Sequence, residues 1–89
     1  TFLSDIPSVV SDLVSDAGQQ ALLDVAGKAH KIKGAADNVG GKTLRAVAFA
    51  LELAGKEGNS EEVDGLLPQL EASYLELQDA LQQKLDEMT

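Results

Sequence analysis

The spacing of apolar residues is the feature that most limits what this chain can fold into. Along its whole length, apolar side chains recur at intervals of three and four residues, and no run of strand length alternates apolar with polar residues. Intervals of three and four place side chains on one face of an α-helix, whereas a half-buried strand needs a period of two. The pattern therefore predicts an all-α fold.

Four segments carry this pattern, and short polar or glycine-containing stretches separate them. We predict helices over residues 4–17, 19–38, 42–57 and 61–87. Helices joined by so few residues pack as antiparallel neighbours, so the predicted architecture is an up-down four-helix bundle forming a single domain over residues 1–89. Pro68 lies inside the fourth segment and removes one backbone hydrogen bond, so we expect a kink or break near residues 64–67.

Residues at the segment ends favour similar boundaries. Ser4 and Ser60 are predicted N-caps, because a serine hydroxyl can accept a hydrogen bond from a free N–H of the first helical turn. Gly18 and Gly40 are predicted to end the first and second helices, because glycine adopts the left-handed conformation at little cost.

Composition excludes several classes of function. Seven Lys and Arg residues against fifteen Asp and Glu residues give a formal net charge of −8. A nucleic-acid partner is not expected, since binding it requires a basic surface. The chain has no Cys and a single His, so we expect no bound metal or cofactor. No apolar run approaches the roughly 18 to 20 residues of a membrane span, so we expect no direct membrane contact.

The basic residues are nevertheless concentrated in one stretch. Residues 28–45 contain one acidic residue, Asp37, and five of the seven basic ones, which are Lys28, Lys31, Lys33, Lys42 and Arg45. Such a run is typical of a solvated helix face, or it could form a local site for an anionic group. The only histidine, His30, lies within it.

His30 has a glycine on either side along its helix face, Gly27 at i−3 and Gly34 at i+4. A glycine inside a helix costs about 1 kcal/mol relative to alanine, so two beside one side chain require a reason. They could open the approach to the imidazole, or they could allow close packing of another helix. Lys33 could place an ammonium beside a phosphoryl group on the ring. With no metal site or hydrolase triad expected, the imidazole itself is the candidate nucleophile.

Residues 29–40 closely resemble the signature of histidine phosphotransfer (HPt) domains, with Lys at +3, Gly at +4 and Gly at +10 from the histidine. The run reads Ala29-His30-Lys31-Ile32-Lys33-Gly34-Ala35-Ala36-Asp37-Asn38-Val39-Gly40. The resemblance extends to residues 51–56 and to residues 66–71, which include Pro68. It is strongest to the C-terminal HPt domain of bacterial hybrid sensor histidine kinases, and a free-standing HPt protein is the alternative.

This resemblance implies a phosphorelay intermediate in two-component signalling. His30 would accept a phosphoryl group from the aspartate of a response-regulator receiver domain through Nε2 and pass it to another receiver. Lys33 would stabilise the phosphoryl charge, and Gly34 would leave the approach open. The residues expected to contact the receiver are Gly27, Lys31, Asp37, Phe49, Glu52 and Lys56. The resemblance also implies that Glu52 and Lys56 lie near the histidine from the third helix, where Glu52 could orient His30 or Lys33 and Lys56 could aid docking.

Further expectations follow from the same resemblance. Gly40 and Pro68 would be structural residues, and Mg²⁺ would be bound by the partner receiver rather than by this chain. The chain would not be a kinase on its own, because it has no ATP-binding sequence. A cytoplasmic location, on the inner-membrane side if joined to a sensor kinase, and a monomeric state in isolation are expected. The first residue, Thr1, fits a domain excised from a longer protein.

Three questions stay open at this point. Phe49 and Leu53 fall away from the core seam of their helix, so they either pack against a second helix or form an apolar docking patch. Asp37 stands where the family more often has a small residue, and could tune the choice of partner or have no role. Finally, the chain could be a structural or adaptor bundle in which His30 is incidental. Exposure of the His30 ring between its two glycines would separate that interpretation from phosphotransfer.

Overall fold

Four α-helices make up a computed structural model that describes residues 2–88 and the side chains of residues 6–87. The helices are α1 (Phe2–Gly18), α2 (Leu22–Asn38), α3 (Lys42–Glu57) and α4 (Ser60–Met88). No strand occurs between residues 2 and 88. The prediction of an all-α fold is confirmed.

The helices pack in the order in which they follow one another along the chain. α1 contacts α2, α2 contacts α3, α3 contacts α4, and α4 returns to contact α1. The connections are two or three residues long, which makes successive helices antiparallel. The result is the predicted four-helix bundle, with α2 and α4 on opposite sides of it.

One hydrophobic core joins the four helices. Each helix contributes a fully buried aliphatic side chain to it: Leu13, Ile32, Leu51 and Leu70. Burying a side chain of this size stabilises the fold by about 1.5 to 3 kcal/mol. Because this core uses one face of α2 and of α3, the neighbouring faces of these two helices are left for polar and exposed residues.

The ends of α1 differ from the prediction. The helix begins at Phe2, so Ser4 lies within it rather than at its N-cap. The residue in the left-handed conformation is Gln20, with φ 58°, and not Gly18. Helical bonding continues past Gly18, because the N–H groups of Gln20 and Ala21 still bond to carbonyl oxygens of the last turn. The second helix consequently begins three residues later than predicted.

The other helix ends follow the sequence signals more closely. Gly40 has φ 75° at the end of α2, where its N–H and that of Gly41 bond to carbonyl oxygens of the last turn. The cap of α4 is Asn59 rather than Ser60. The Asn59 Oδ1 accepts a bond from the backbone N–H of Glu62 at 3.1 Å, and its amide donates to the Glu62 carboxylate at 3.2 Å.

The break expected before Pro68 does not occur, since α4 runs without interruption from Ser60 to Met88. Pro68 and Asp64 are both exposed. The Asp64 carbonyl oxygen, which loses its helical donor at Pro68, can therefore bond to water instead. The kink stays a prediction. Across the part of the chain described, none of the helices is both long and apolar enough to cross a membrane.

α2 and α3 approach each other closely at Gly55. A Cβ atom placed there would lie 2.6 Å from the Leu22 carbonyl oxygen and 3.0 Å from the Ala26 Cβ. Contacts of that length to a helix backbone cannot be relieved by turning a side chain. Gly55 is therefore required by packing, and the sequence pattern did not single it out for this role.

Replacing Gly55 with alanine should lower the free energy of unfolding by about 1 to 3 kcal/mol, because the two helices must move apart. Gly27→Ala is the matched comparison: it is also inside a helix, but a Cβ there meets nothing within 4 Å. That variant should be up to about 1 kcal/mol more stable than the wild type. Urea denaturation followed by circular dichroism measures both. Equal stability of the two variants would contradict the packing argument.

Candidate functional site

The His30 side chain projects from α2 into solvent, and 66% of it is exposed. A Cβ atom at Gly27 or at Gly34 would meet nothing within 4 Å. Close packing of another helix therefore does not explain these two glycines. They leave open space along the helix face on both sides of the ring, and a large partner can approach it.

Beneath the ring lies Glu52 of α3, which is only 6% exposed. Glu52 directly follows the core residue Leu51, and its burial leaves it little surface for the receiver contact predicted for it. A buried carboxylate is costly unless charged or polar groups pair with it. Three side chains do so here, with donor–acceptor distances of 3.0 Å from His30 Nδ1, 2.8 Å from Lys33 Nζ and 3.3 Å from Lys56 Nζ.

These contacts hold the pKa of Glu52 far below its usual value. The hydrogen bond from Lys33 is the largest cause, Lys56 adds to it, and burial opposes both; the pKa falls from 4.5 to about 2. At neutral pH Glu52 is thus ionised, and a carboxylate can only accept hydrogen bonds. When the ring is neutral, its proton is therefore assigned to Nδ1, and the lone pair is on Nε2.

The same pKa shift predicts how stability depends on pH. Between about pH 4.5 and pH 2 the unfolded chain binds a proton at Glu52 that the folded chain does not, so stability contributed by this group is lost as the pH falls through that window. Glu52→Gln should be less stable than the wild type at pH 7 and lose less stability between pH 4.5 and pH 2. Denaturant unfolding at a series of pH values measures this. The same slope in both proteins would contradict the prediction.

Lys33 is held from two sides. Its ammonium donates to Glu52 Oε1 and lies 5.1 Å from the centre of the Phe49 ring, within the range of a cation–π contact. Because Lys33 is one turn along α2 from His30, these contacts keep a positive charge on the same side of the bundle as the ring. The predicted pairing of the phosphoryl site with Lys33 is therefore geometrically possible.

Three large apolar side chains of α2 and α3 are exposed. Leu23 is 76% exposed, Phe49 48% and Leu53 44%. The interpretation that Phe49 and Leu53 are buried against a second helix is therefore wrong, and both are available to a partner. Leu23 lines a shallow pocket, and the other residues that line it include Gly27, His30, Glu52 and Lys56. We call the set Leu23, Gly27, His30, Phe49, Leu53 and Lys56 the His30 face.

Leu23 was not among the site residues predicted from the sequence. The signal was available, since Leu23 is seven residues before His30 and so lies two turns away on the same helix face. It could not be separated from an ordinary core leucine without knowing which faces α1 and α3 cover. The remaining predicted site residues on this surface, Gly34 and Lys31, are both exposed on α2.

The basic stretch does not form one patch. Lys28 pairs with Asp16 of α1, and the hydrogen bond to that carboxylate raises the Lys28 pKa. Arg45 pairs with Asp37 at 3.3 Å, and both side chains are largely exposed, so the pair is worth about 0 to 1 kcal/mol. Asp37 therefore has a partner on α3, whereas the positive charge beside His30 comes from Lys33 and Lys56.

Among the residues whose side chains are described, no group of three or more His, Asp and Glu side chains is arranged to hold a metal ion. Gly40 ends α2, ten residues beyond His30, and Pro68 lies in α4. Neither forms one of the contacts with Glu52 described above, and the structural roles expected of them stay predictions.

Comparison with known proteins gave one result. A family model described as "Hpt domain" matches residues 1–87. No match was found among the curated proteins or among the solved structures.

Proposed function

The chain belongs to the Hpt domain family, and on that premise we propose that His30 is its phosphoryl acceptor. Hpt domains carry phosphoryl groups in phosphorelay signalling, interact with the receiver domains of response regulators and are not kinases with ATP sites. The observation that carries the assignment to His30 is its exposed ring, held at Nδ1 by Glu52 and open on both sides at Gly27 and Gly34.

The contact with Glu52 prepares the ring for nucleophilic attack. With the proton on Nδ1, the Nε2 lone pair is free and faces away from the carboxylate. Nε2 attacks the phosphorus of the receiver's aspartyl phosphate, and the electrons of the broken P–O bond remain on the aspartate oxygen. The same steps in reverse pass the group to a second receiver.

Positive charge and access come from this chain, and the metal comes from its partner. Lys33 and Lys56 are close enough to Glu52 to lie beside the ring, and either ammonium can turn toward a phosphoryl group on Nε2. Mg²⁺ bound by the receiver would neutralise part of the charge on the transferred group. Gly34 keeps open the path by which the receiver's phosphoryl group reaches His30.

The His30 face is the proposed docking surface for the receiver. The exposed side chains of Leu23, Phe49 and Leu53 supply apolar contacts to the receiver, and Lys31 and Asp37 are exposed on α2. Transient signalling contacts often bury less than about 1,200 Å² in total, so a small surface is sufficient for such a partner.

The wider context is part of the same proposal. The chain acts as a monomer in the cytoplasm, and its parent is a hybrid sensor histidine kinase of which it forms the C-terminal domain. The motif over residues 29–40 supports this more specific assignment.

Direct transfer tests the proposed function. The chain is mixed with Mg²⁺ and a panel of receiver domains phosphorylated on aspartate, and mass spectrometry locates any phosphate that is labile in acid and stable in base. Rapid labelling of His30 from at least one receiver supports the proposal. If no receiver labels the folded chain, the proposal fails in favour of a structural or adaptor bundle or a degenerate Hpt domain.

A further inference from the structure

We infer that Glu52 is a positioning residue for the phosphorylated state: it keeps the proton on His30 Nδ1 after Nε2 has been phosphorylated, and so keeps the phosphoryl group transferable. This inference rests on the proposed function. The inference goes beyond that function because it concerns the phosphorylated state, in which the chain must pass the phosphoryl group to the next receiver.

The chemistry depends on one proton. When neutral imidazole attacks through Nε2, the product ring carries a positive charge and still has its proton on Nδ1. If that proton stays, the ring later leaves phosphorus as neutral imidazole, which is a good leaving group. If the proton is lost to water, the ring must leave as an imidazolate anion, which is a poor one. Retention of the Nδ1 proton therefore determines how readily the P–N bond breaks.

The geometry places the acceptor for that proton. Glu52 Oε2 lies 3.0 Å from Nδ1 and is inside the protein, where its charge is poorly hydrated. An ionised carboxylate at this distance favours the charged form of a neighbouring base by about 1 to 3 pKa units. The ionised Glu52 thus stabilises the phosphoimidazolium relative to the neutral phosphorylated ring.

The charges around the ring fit an exchange of partners. Before phosphorylation, Lys33 from α2 and Lys56 from α3 neutralise Glu52. Among the described residues, these are the charged side chains that form ion pairs with the carboxylate beneath the His30 ring. A phosphoryl group adds about two negative charges and attracts the same two ammonium groups. As they turn toward it, the imidazolium replaces them as the counter-ion of the buried carboxylate.

Atoms and electrons balance without any proton transfer. On acceptance, the Nε2 lone pair forms the P–N bond and the aspartyl P–O bond breaks, with its electron pair going to the carboxylate. On donation, an oxygen of the second receiver's aspartate attacks phosphorus, and the P–N electron pair returns to Nε2. The proton stays on Nδ1 throughout, where it forms the hydrogen bond to Glu52.

Nuclear magnetic resonance of the phosphorylated chain tests this directly. The ¹⁵N-labelled wild type and Glu52→Gln are phosphorylated with phosphoramidate, a small donor that needs no receiver. The ¹⁵N shift of His30 Nδ1 is followed against pH, as is the rate of loss of the ³¹P phosphohistidine signal. We expect the inflections of both curves to lie at least about one pH unit lower in Glu52→Gln than in the wild type. At a pH above the inflections, the variant should therefore lose its phosphoryl group about tenfold more slowly.

Two further proteins complete the design. Glu71→Gln removes one carboxylate from an exposed position on α4 and should keep the wild-type inflection. Glu52→Asp keeps the charge and should restore part of the shift. A phosphorylated histidine in a short unstructured peptide gives the reference for a ring with no carboxylate beside it, so the wild type is decisive even if Glu52→Gln does not fold.

The inference is overturned if Nδ1 of phosphorylated wild type loses its proton at the same pH as the peptide, or if Glu52→Gln titrates like the wild type. In either case labelling of His30 would still support the proposed function. If neither phosphoramidate nor any receiver labels the wild type, the proposed function fails, and this inference fails with it.

Discussion

The His30→Gln variant should accept no phosphoryl group from any receiver domain that labels the wild type. Glutamine has no lone pair on its side-chain nitrogen that can attack phosphorus, and no other described residue of the His30 face supplies a free imidazole. The measurement is the amount of acid-labile phosphate on the chain after mixing with each phosphorylated receiver. We expect complete loss, whatever the receiver.

The fold should survive this change. The His30 ring is mostly exposed, and the amide N–H of glutamine can still donate to Glu52, so stability should change by no more than about 0.5 kcal/mol. Lys84→Gln, an exposed substitution on α4, controls for handling and should label like the wild type. Acid-labile label persisting on His30→Gln would show that the acceptor has been assigned to the wrong residue.

The architecture was predictable from the sequence because helices and strands bury side chains with different periods. Apolar spacings of three and four across all four segments left no alternative to helices, and the short connections left little alternative to an antiparallel bundle. The boundaries were less well defined. Gln20 rather than Gly18 takes the left-handed position, and Asn59 rather than Ser60 caps α4, since several residues near a helix end can satisfy the same free backbone groups.

Residue spacing alone could predict the site only along α2, whereas Phe49, Glu52 and Lys56 on α3 were predicted from the family resemblance. Residues three and four apart on one helix are neighbours wherever that helix sits, so His30, Lys33 and the two glycines could be placed together from their spacing. The partner on α3 depends on how two helices meet. That Glu52 is buried, that it contacts His30 and Lys33 at once, and that Gly55 sets the approach of α3 to Leu22 are all consequences of that packing.

Packing also decided between interpretations that the sequence left open. The basic stretch could have formed a single anion site, but Lys28 is paired with α1 and Arg45 with Asp37. Phe49 and Leu53 could have been core residues, but both are exposed beside the site. In each case the sequence gives the residue type and its helix face, whereas the neighbouring helix determines whether that face is covered.

The buried carboxylate links the stability of the bundle to its function. Glu52 requires cations around it because it is removed from water, and the groups that satisfy this requirement are the histidine and two lysines of the proposed transfer site. The acid sensitivity of folding and the protonation of the phosphorylated ring are thus two consequences of one cluster. Both should change in Glu52→Gln.

Gly34→Gln should slow phosphoryl transfer between about tenfold and a hundredfold while leaving the bundle intact. A long side chain at i+4 from His30 occupies the space through which the receiver reaches Nε2, and small displacements of reacting atoms cost this much in rate. Nothing lies within 4 Å of a Cβ at this position, so the substitution displaces no packed atom. Because glutamine favours the helix more than glycine, the variant should be up to about 1 kcal/mol more stable.

Gly65→Gln separates obstruction from any general effect of the substitution. Gly65 is also a glycine inside a helix with open space around it, but it lies on α4, on the opposite side of the bundle from α2. It should gain similar stability and transfer at the wild-type rate. Single-turnover rates from one phosphorylated receiver, with denaturation curves for each variant, compare the two. If Gly34→Gln transfers as fast as Gly65→Gln, then the open space beside His30 is not what the receiver needs.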